Sequence, residues 1–556
     1  MRRLPHATSA LSRATLAVVC SLVVASRGAA AGEGHFQPLG PEFLVNASTA
    51  YNQYWPRVSM APDGARLAFC FGNGQDPNAR QFFADGTPAT GNLLCNPTYS
   101  QHVQDEPEIC YSTTGNQLVA WSERYGYDGE IMGIFGRIFS PNGVPAGAEF
   151  QINQIWQASQ WRPLIAARPD GKWLVMWSGD WDGDAMFRVI NPDGSFHTPD
   201  IRVNTFDNGA QVDPAGAVAP NGRMLLVFVD FSGFGALGTG TNLWMRLYDS
   251  NGSPLQPAPT PLNTSGFTST DQREPRVTAD GNGNFLVTWE DQSKDGSGYG
   301  IFARRFANDG SPLGPEFQVN TATLGSQRNP KVCSDALGNF IIAWESRAQG
   351  HADVHAQRFD ALGQRLGTEF IVNAVTAGDQ KSIGLAAHPS SGLVAFTFEG
   401  PGVSTDVYAR LYTTYLPPTA YCTAKLNSLG CLPTITATGS PSMTASTPLR
   451  IGATSTLNQK SGLLFWGRAG GAVPYYGGTL CVQPPVSRTP IQQSGGNASL
   501  ADCSGTFAFD FTQSYMNLKG LTSGDTVYAQ WWSRDPGFSG SQAISLSNAL
   551  EFDITP

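Results

Sequence analysis

The stretch QREPRVTADGNGNFLVTWEDQSKDGSGYGIFARRFANDGSPLGPEFQVN, Gln272 to Asn320, has six imperfect copies elsewhere in the chain. The aromatic residue closing each FLVTW-like run stands at Phe69, Trp121, Trp177, Phe228, Trp289, Trp344 and Phe396, in steps of 52, 56, 51, 61, 55 and 52 residues. Repeats of roughly 50 residues built from short strands mark propellers, in which each blade is a four-stranded sheet. A Q-x-x-P signature opens the units at Gln53, Gln104, Gln160, Gln211, Gln272 and Gln327. The seventh, at Gln380, has Ile383 in place of the proline.

Within a unit the residues after the proline read as a first strand, and ADGNGN as a tight hairpin turn. Phe285 to Trp289 is a second strand and IFARRF a third, matched elsewhere by GRIF, FRVI, MRLY, AQRF and ARLY. EFQVN is a fourth. Its first relative, EFLVN at Glu42 to Asn46, precedes the first complete unit, whereas the last unit ends at ARLYTTY with no such copy. The N-terminal EFLVN is therefore expected to close the ring as the outer strand of the last blade, which removes exposed sheet edges. The predicted fold is all-β: a seven-bladed β-propeller over residues 32–416, a linker at 417–421, and a small β-sandwich over 422–556.

Residues 1–31 read as a signal peptide, with Arg2, Arg3 and Arg13 ahead of the apolar run Ala14 to Ala25 and small residues up to Ala31. That run is too short to span a bilayer, so a secreted chain without a membrane span is expected, periplasmic or extracellular. Charged residues make up 14% of the chain and the net charge is -9, with no Lys/Arg run to track a phosphate backbone. Nucleic acid is excluded as a partner on that ground.

Cys422, Cys431, Cys481 and Cys503 lie in the last quarter of the chain and read as two disulfides. Of the three pairings open to them, the shortest loops join Cys422 to Cys431 and Cys481 to Cys503. Cys95 and Cys110 either pair or act, like Cys70 and Cys333, as small buried hydrophobes.

Loops joining fourth to first strands and second to third strands share one face, and the latter vary most between units. Any site is expected there, at the mouth of the central channel. Candidate ligand-binding rings are Trp55, Tyr125, Tyr127, Trp156, Trp161 and Trp181, weighed against packing between blades. Asp180, Asp182 and Asp184 alternate in a Gly-containing loop and read as a solvated acidic turn or a calcium ligand set. No other cofactor is indicated. The recurrent third-strand arginines, Arg137, Arg188, Arg246, Arg304, Arg358 and Arg410, read as a structural ladder facing Glu290 and Glu345. No G-x-S-x-G, HExxH or P-loop occurs, so no catalytic residue is assigned. In the terminal region Phe465–Trp466, Tyr475–Tyr476 and Trp531–Trp532 are adjacent aromatic pairs, each expected to turn one ring inward and the other out.

With G-x-EF-x-VN and GNF-x-V-x-W, the repeats resemble exported β-propeller-like proteins of environmental Gram-negative bacteria. The terminal segment, with YCTAKLNSLGC, GLLFWG, GGTLCVQPP, DCSGTFAFDF and QWWSRDPG, looks like a C-terminal domain appended to many of their secreted proteins. Export and a cell-surface or extracellular setting are what the resemblance implies; it implies no reaction. The expected function is binding or adhesion by a monomer whose loop face engages a glycan or a surface protein. The alternatives are a carbohydrate-active hydrolase or lyase with carboxylates at the channel mouth, and a purely structural surface component.

Overall fold

The computed structural model describes residues 36–555, apart from 99–102, 125–131, 156–157, 180–182, 207–208, 233–239, 264–269, 293, 336–337, 349, 390, 403, 415–417, 444–446 and 523. The expected signal peptide thus lies outside the described residues.

The reference repeat forms one antiparallel meander, Gln272–Ala279, Phe285–Gln292, Tyr299–Phe306 and Phe317–Gln318, paired in chain order. Among the described residues seven such sheets follow one another before residue 414. The first strand of each packs beside the first strand of the next, and the strand Lys381–Ala387 of the last sheet packs beside Gln53–Met60 of the first. The ring is therefore closed, as in a β-propeller. In the last sheet Thr405–Thr413 pairs with Gln37–Pro38 and Phe43–Leu44, so the N-terminal segment supplies the outer strand as its sequence phase predicts.

The repeat's shared residues have physical work to do between sheets. Val287 and Trp289 meet Leu225, Val227 and Leu243 of the preceding sheet. An equivalent cluster lies between the last and first sheets, where Ala395, Val407 and Leu411 meet Val45, Phe69 and Phe71. Strand register shifts two of the repeat landmarks. Arg304 lies opposite Val287, and Arg80 and Arg410 lie opposite Phe69 and Phe396, so Phe71 and Phe398 are the counterparts of Trp289. Alternation hides this in the sequence, because Phe69 and Phe71 point to the same face.

In the reference repeat the outer strand is two residues long, and the asparagine of its VN pair continues the ladder with its side chain. Asn320 Oδ1 accepts the Ile301 N–H at 2.8 Å, and Nδ2 donates to Gln327 Oε1 of the next Q-x-x-P at 3.1 Å. Asn153–Gln160, Asn204–Gln211 and Asn373–Gln380 repeat the link at 2.9, 3.0 and 3.3 Å. The VN and Q-x-x-P motifs are thus two ends of one buried clamp. Asn320→Ala removes the partners of the Ile301 N–H and of Gln327 Oε1, and is expected to cost about 2–4 kcal/mol in urea unfolding. A cost below ~1 kcal/mol would show that the clamp is not structural.

The third-strand arginine also joins neighbouring sheets, though not to Glu290 or Glu345. Arg246, Arg304 and Arg410 donate from Nη1 to the backbone carbonyls of Val203, Leu262 and Val372, at 3.0, 2.6 and 2.6 Å. Those carbonyls belong to the preceding sheet's outer segment. In the sixth sheet the equivalent residue is Gln357, opposite Ile342, and Arg358 is one place out of register.

After residue 417, Thr419–Tyr421, Ile544–Asp553, Thr526–Arg534 and Ser461–Gly467 pair in one sheet, edged by Ser487–Arg488 and Gln492–Gln493. Thr434–Thr438, Leu449–Thr456 and Gly505–Phe511 form a second. Leu449, Ile451, Phe507 and Phe511 pack against Leu464, Trp466, Trp531 and Leu550 in a common core. Phe465 does not turn outward to solvent. It is buried on the sheet's far face with Val482 and Leu546, beneath the hairpin Gly470–Tyr475 and Gly478–Val482. Tyr475 and Tyr476 at the hairpin's tip are both exposed.

The disulfides are Cys422–Cys481 and Cys431–Cys503, closing 59- and 72-residue separations, and not the shortest-loop pairing. Tertiary placement overrides loop length here. Cys422 follows the edge strand Thr419–Tyr421 on Ile544–Asp553, and the hairpin strand carrying Cys481 packs on that same strand. Cys95 and Cys110 do not pair.

Candidate channel-mouth site

Every first strand carries a bulge at the same place, and the bulge builds the site. Register shifts fall between Tyr54 and Arg57, Arg273 and Arg276, Arg328 and Lys331, and at the matching points of the other four sheets. The residue at the third position of each Q-x-x-P adopts a left-handed backbone: Trp55, Glu106, Arg162, Asp213, Glu274, Asn329 and Ser382, with φ between 51° and 57°. That conformation costs a residue with a Cβ of the order of 1–3 kcal/mol, so the surrounding framework must hold it.

It is held by the neighbouring sheet. The N–H of Trp55 donates to Glu399 Oε1 at 2.9 Å, that of Asn329 to Glu290 Oε2 at 3.2 Å, and that of Ser382 to Glu345 Oε1 at 2.8 Å. In two other sheets a serine takes this place, with Ser122 accepting from Arg162 and Ser178 from Asp213. Glu290 and Glu345 are therefore braces of the bulge. Burial, then the nearby Glu274, pushes the Glu290 carboxyl up to about 7.

All seven left-handed residues line one cavity of about 210 Å³ at the ring's centre. Arg162 dominates its chemistry. Its Nη1 lies 2.7 Å from Asp213 Oδ1 and 3.0 Å from Glu274 Oε1, and its Nε lies 3.4 Å from Glu106 Oε1. One nitrogen bridging Asp213 and Glu274 keeps those carboxylate oxygens no more than about 6 Å apart, closer than the about 6.5–9.5 Å of inverting glycosidase pairs.

The environments of the two carboxylates diverge. Burial, reinforced by Glu274, raises the Asp213 carboxyl above its usual range despite Arg162. Burial also acts upward on Glu274, but Arg276, Arg162 and Lys331 outweigh it and bring the group down to about 2. Burial raises Glu106 too, with Arg162 opposing. The arrangement therefore offers one persistent anion, a neighbour that retains its proton more readily, and a cation between them.

Arg162→Met would leave three carboxylates facing one another. Because Arg162 is 45% exposed at its side chain, the cost is expected to be about 2 kcal/mol at pH 7, below that of a fully buried pair. The sign with pH follows from Glu274. Its depressed pKa contributes stability present above its unfolded value of ~4.5 and lost as pH falls toward 2. The gap between wild type and variant in thermal unfolding should thus narrow progressively as pH falls from about 5 toward 2; a constant gap would contradict the ion-pair account.

Of the sequence-predicted rings, Trp55 lines this cavity. Trp161 does not; the bulge falls one residue later and turns Arg162 inward instead. Tyr125, Tyr127, Trp156 and Trp181 lie outside the described residues, as do Asp180 and Asp182. Asp184 is buried, ion-paired with Arg202 at 3.0 Å and accepting from Asn204 at 2.6 Å. No group of three or more metal-ligating side chains occurs among the described residues. The acidic cluster and Arg162 were missed by the sequence reading. Their signal is that one repeat position carries Trp, Glu, Arg, Asp, Glu, Asn and Ser in turn, directly before a proline kept in six of the seven units.

No family model matches the chain, and no curated protein matches it. Among solved structures it is similar to a protein of unknown function from Dyadobacter fermentans, at 12% identity over 68% of this chain and 99% of that one, TM-score 0.42. It is similar to an α-L-arabinofuranosidase from Fusarium graminearum, at 13% identity over 57% of this chain and 95% of that one, TM-score 0.41. It is also similar to the polysaccharide lyase Uly1, at 8% identity over 70% of this chain and 94% of that one, TM-score 0.43.

Proposed function

We propose that the chain is an exported, carbohydrate-active hydrolase: a seven-bladed β-propeller with its site at the channel mouth, followed by a disulfide-linked β-sandwich. The observation that carries this reading is the pair Asp213 and Glu274, bridged by one Arg162 nitrogen and pushed apart in acidity. A scaffold would have no reason to vary seven equivalent inward side chains while keeping their strained backbone constant. Export is supported by the two disulfides.

In this mechanism Asp213 protonates the glycosidic oxygen as Glu274 attacks the anomeric carbon. Water then displaces Glu274, giving its proton to Asp213. Trp55 offers a ring face for the sugar, and Arg162 keeps Glu274 ionised until substrate enters. Three carboxylates converging on Arg162 at the mouth favour hydrolysis over adhesion. Non-catalytic glycan binding is the second reading, favoured by Arg162, which occupies the space between the two carboxylates.

The test is reducing-end release by the mature chain from a panel of neutral and acidic polysaccharides, with Asp213→Asn alongside. Release lost in the variant supports hydrolysis. Binding by calorimetry without release by wild type supports the second reading and overturns the first.

A further inference from the structure

Below the mouth, the residue after each Q-x-x-P forms a second inward ring: Arg57, Glu108, Leu164, Ala215, Arg276, Lys331 and Gly384. All seven line a further cavity of about 150 Å³. It gathers charges of both signs. Arg57 pairs with Glu108 at 3.0 Å, and Arg276 with Glu274 at 3.1 Å. Each guanidinium also donates to the carbonyl of the proline before it, Pro56 at 3.0 Å and Pro275 at 2.7 Å, and the buried Arg276 Nε has no partner. Lys331 lies between them in electrostatic reach of both guanidinium groups and both carboxylates. Among the described residues its ammonium makes no hydrogen bond or ion pair, and it lines both cavities.

We propose that this inner ring is a binding site for a small anion of carboxylate size, received by Lys331 and Arg276 with Arg57 beside them. Arg57, Arg276 and Lys331 stand against Glu108 and Glu274, Glu345 also lies in electrostatic reach of Lys331, and the far side of the cavity is left open by Leu164, Ala215 and Gly384. A bound anion supplies a hydrogen-bond acceptor for the ammonium and for the unpartnered Arg276 Nε. Without one, burial and the like charges of Arg276 and Arg57, offset only in part by Glu274 and Glu108, hold Lys331 well below its usual range. An anion restores the proton to Lys331, so binding is tighter at low pH and weakens as pH rises. The site does not depend on the hydrolase reading. Its ligand is either a free small carboxylate or the carboxylate of an acidic sugar that enters the channel.

The experiment is thermal unfolding of the mature chain against rising acetate, at fixed ionic strength held with a bulky sulfonate buffer, at pH 6 and pH 9. Wild type should show a saturating rise of about 2 °C or more, larger at pH 6. Lys331→Met should lose the response. Ala215→Asp, which places a carboxylate within the cavity, should also lose it and should start from a higher midpoint. A flat wild-type profile, or variants that rise in parallel with wild type, would overturn the proposal. Should Lys331→Met fail to fold, an Ala215→Asp chain that still responds would overturn it alone. A second arm replaces acetate with a uronic acid oligosaccharide. Saturation by both identifies the acidic-sugar source, and saturation by acetate alone identifies the free anion.

Discussion

A chain beginning at Ala50, without the segment that pairs with Thr405–Thr413, is expected to lose cooperative folding of the ring. Three sets of contacts leave with that segment. Phe36 stacks on Tyr412 at 4.9 Å, Phe43 packs on Phe82 at 5.3 Å, and Val45 is fully buried between the first and last sheets. Burying three such side chains contributes about 5–8 kcal/mol, comparable with the whole stability of a typical domain. Asn46 goes too, leaving the Val407 N–H and Asp406 unpaired on a newly exposed edge. The loss should show as aggregation, or as a thermal midpoint more than ~10 °C lower. Moving residues 36–48 to follow Thr414 through a short Gly/Ser linker should restore the midpoint. An unchanged midpoint after truncation would mean that the ring is held without its closing strand.

The other large effect is chemical. Glu274→Gln keeps the side chain's volume and its contact with Arg162 but removes the nucleophilic anion. It is expected to lower kcat by about 10³-fold or more, with KM changed far less. Asp213→Asn should differ in kind. A substrate whose leaving group needs no proton should recover much of its rate in Asp213→Asn and none in Glu274→Gln. Equal recovery in both would remove the distinction drawn between the two carboxylates. The pH profile carries the same asymmetry: the acidic limb belongs to Glu274, low because of its cations, and the alkaline limb to Asp213, raised by burial.

The ring was legible because repetition exposes it. VN and Q-x-x-P recur since a buried asparagine meets the next unit's glutamine at six of the seven junctions, and the stray EFLVN marks where the circle joins. Alternation set the limit on register. Residues two apart on a strand share a face, so Phe69 could stand for Phe71 and Phe396 for Phe398, and the pattern gave no sign of it. The site failed for a related reason. Trp161 draws attention as a large ring, yet the bulge at Arg162 and Pro163 reverses which side chain faces the channel, and a left-handed residue before a proline has no sequence signature of its own. The disulfides were hidden because loop length says nothing about which strands become neighbours. What could have been read is the contrast inside the repeat: two variable positions, each holding four charged residues of both signs, between a recurrent glutamine and a proline kept in six of the seven units.

The account stands or falls on Glu274 as a nucleophile at the channel mouth, and rescue of its truncation by an external anion tests this most directly. Glu274→Ala, given an activated glycoside of whichever sugar the wild type releases, should turn over only when sodium azide is added. The product should be a glycosyl azide of configuration opposite to the substrate's, because azide occupies the space of the missing carboxylate. Glu274→Ala that hydrolyses the glycoside at the wild-type rate without azide would contradict the assignment and return the channel mouth to a binding role.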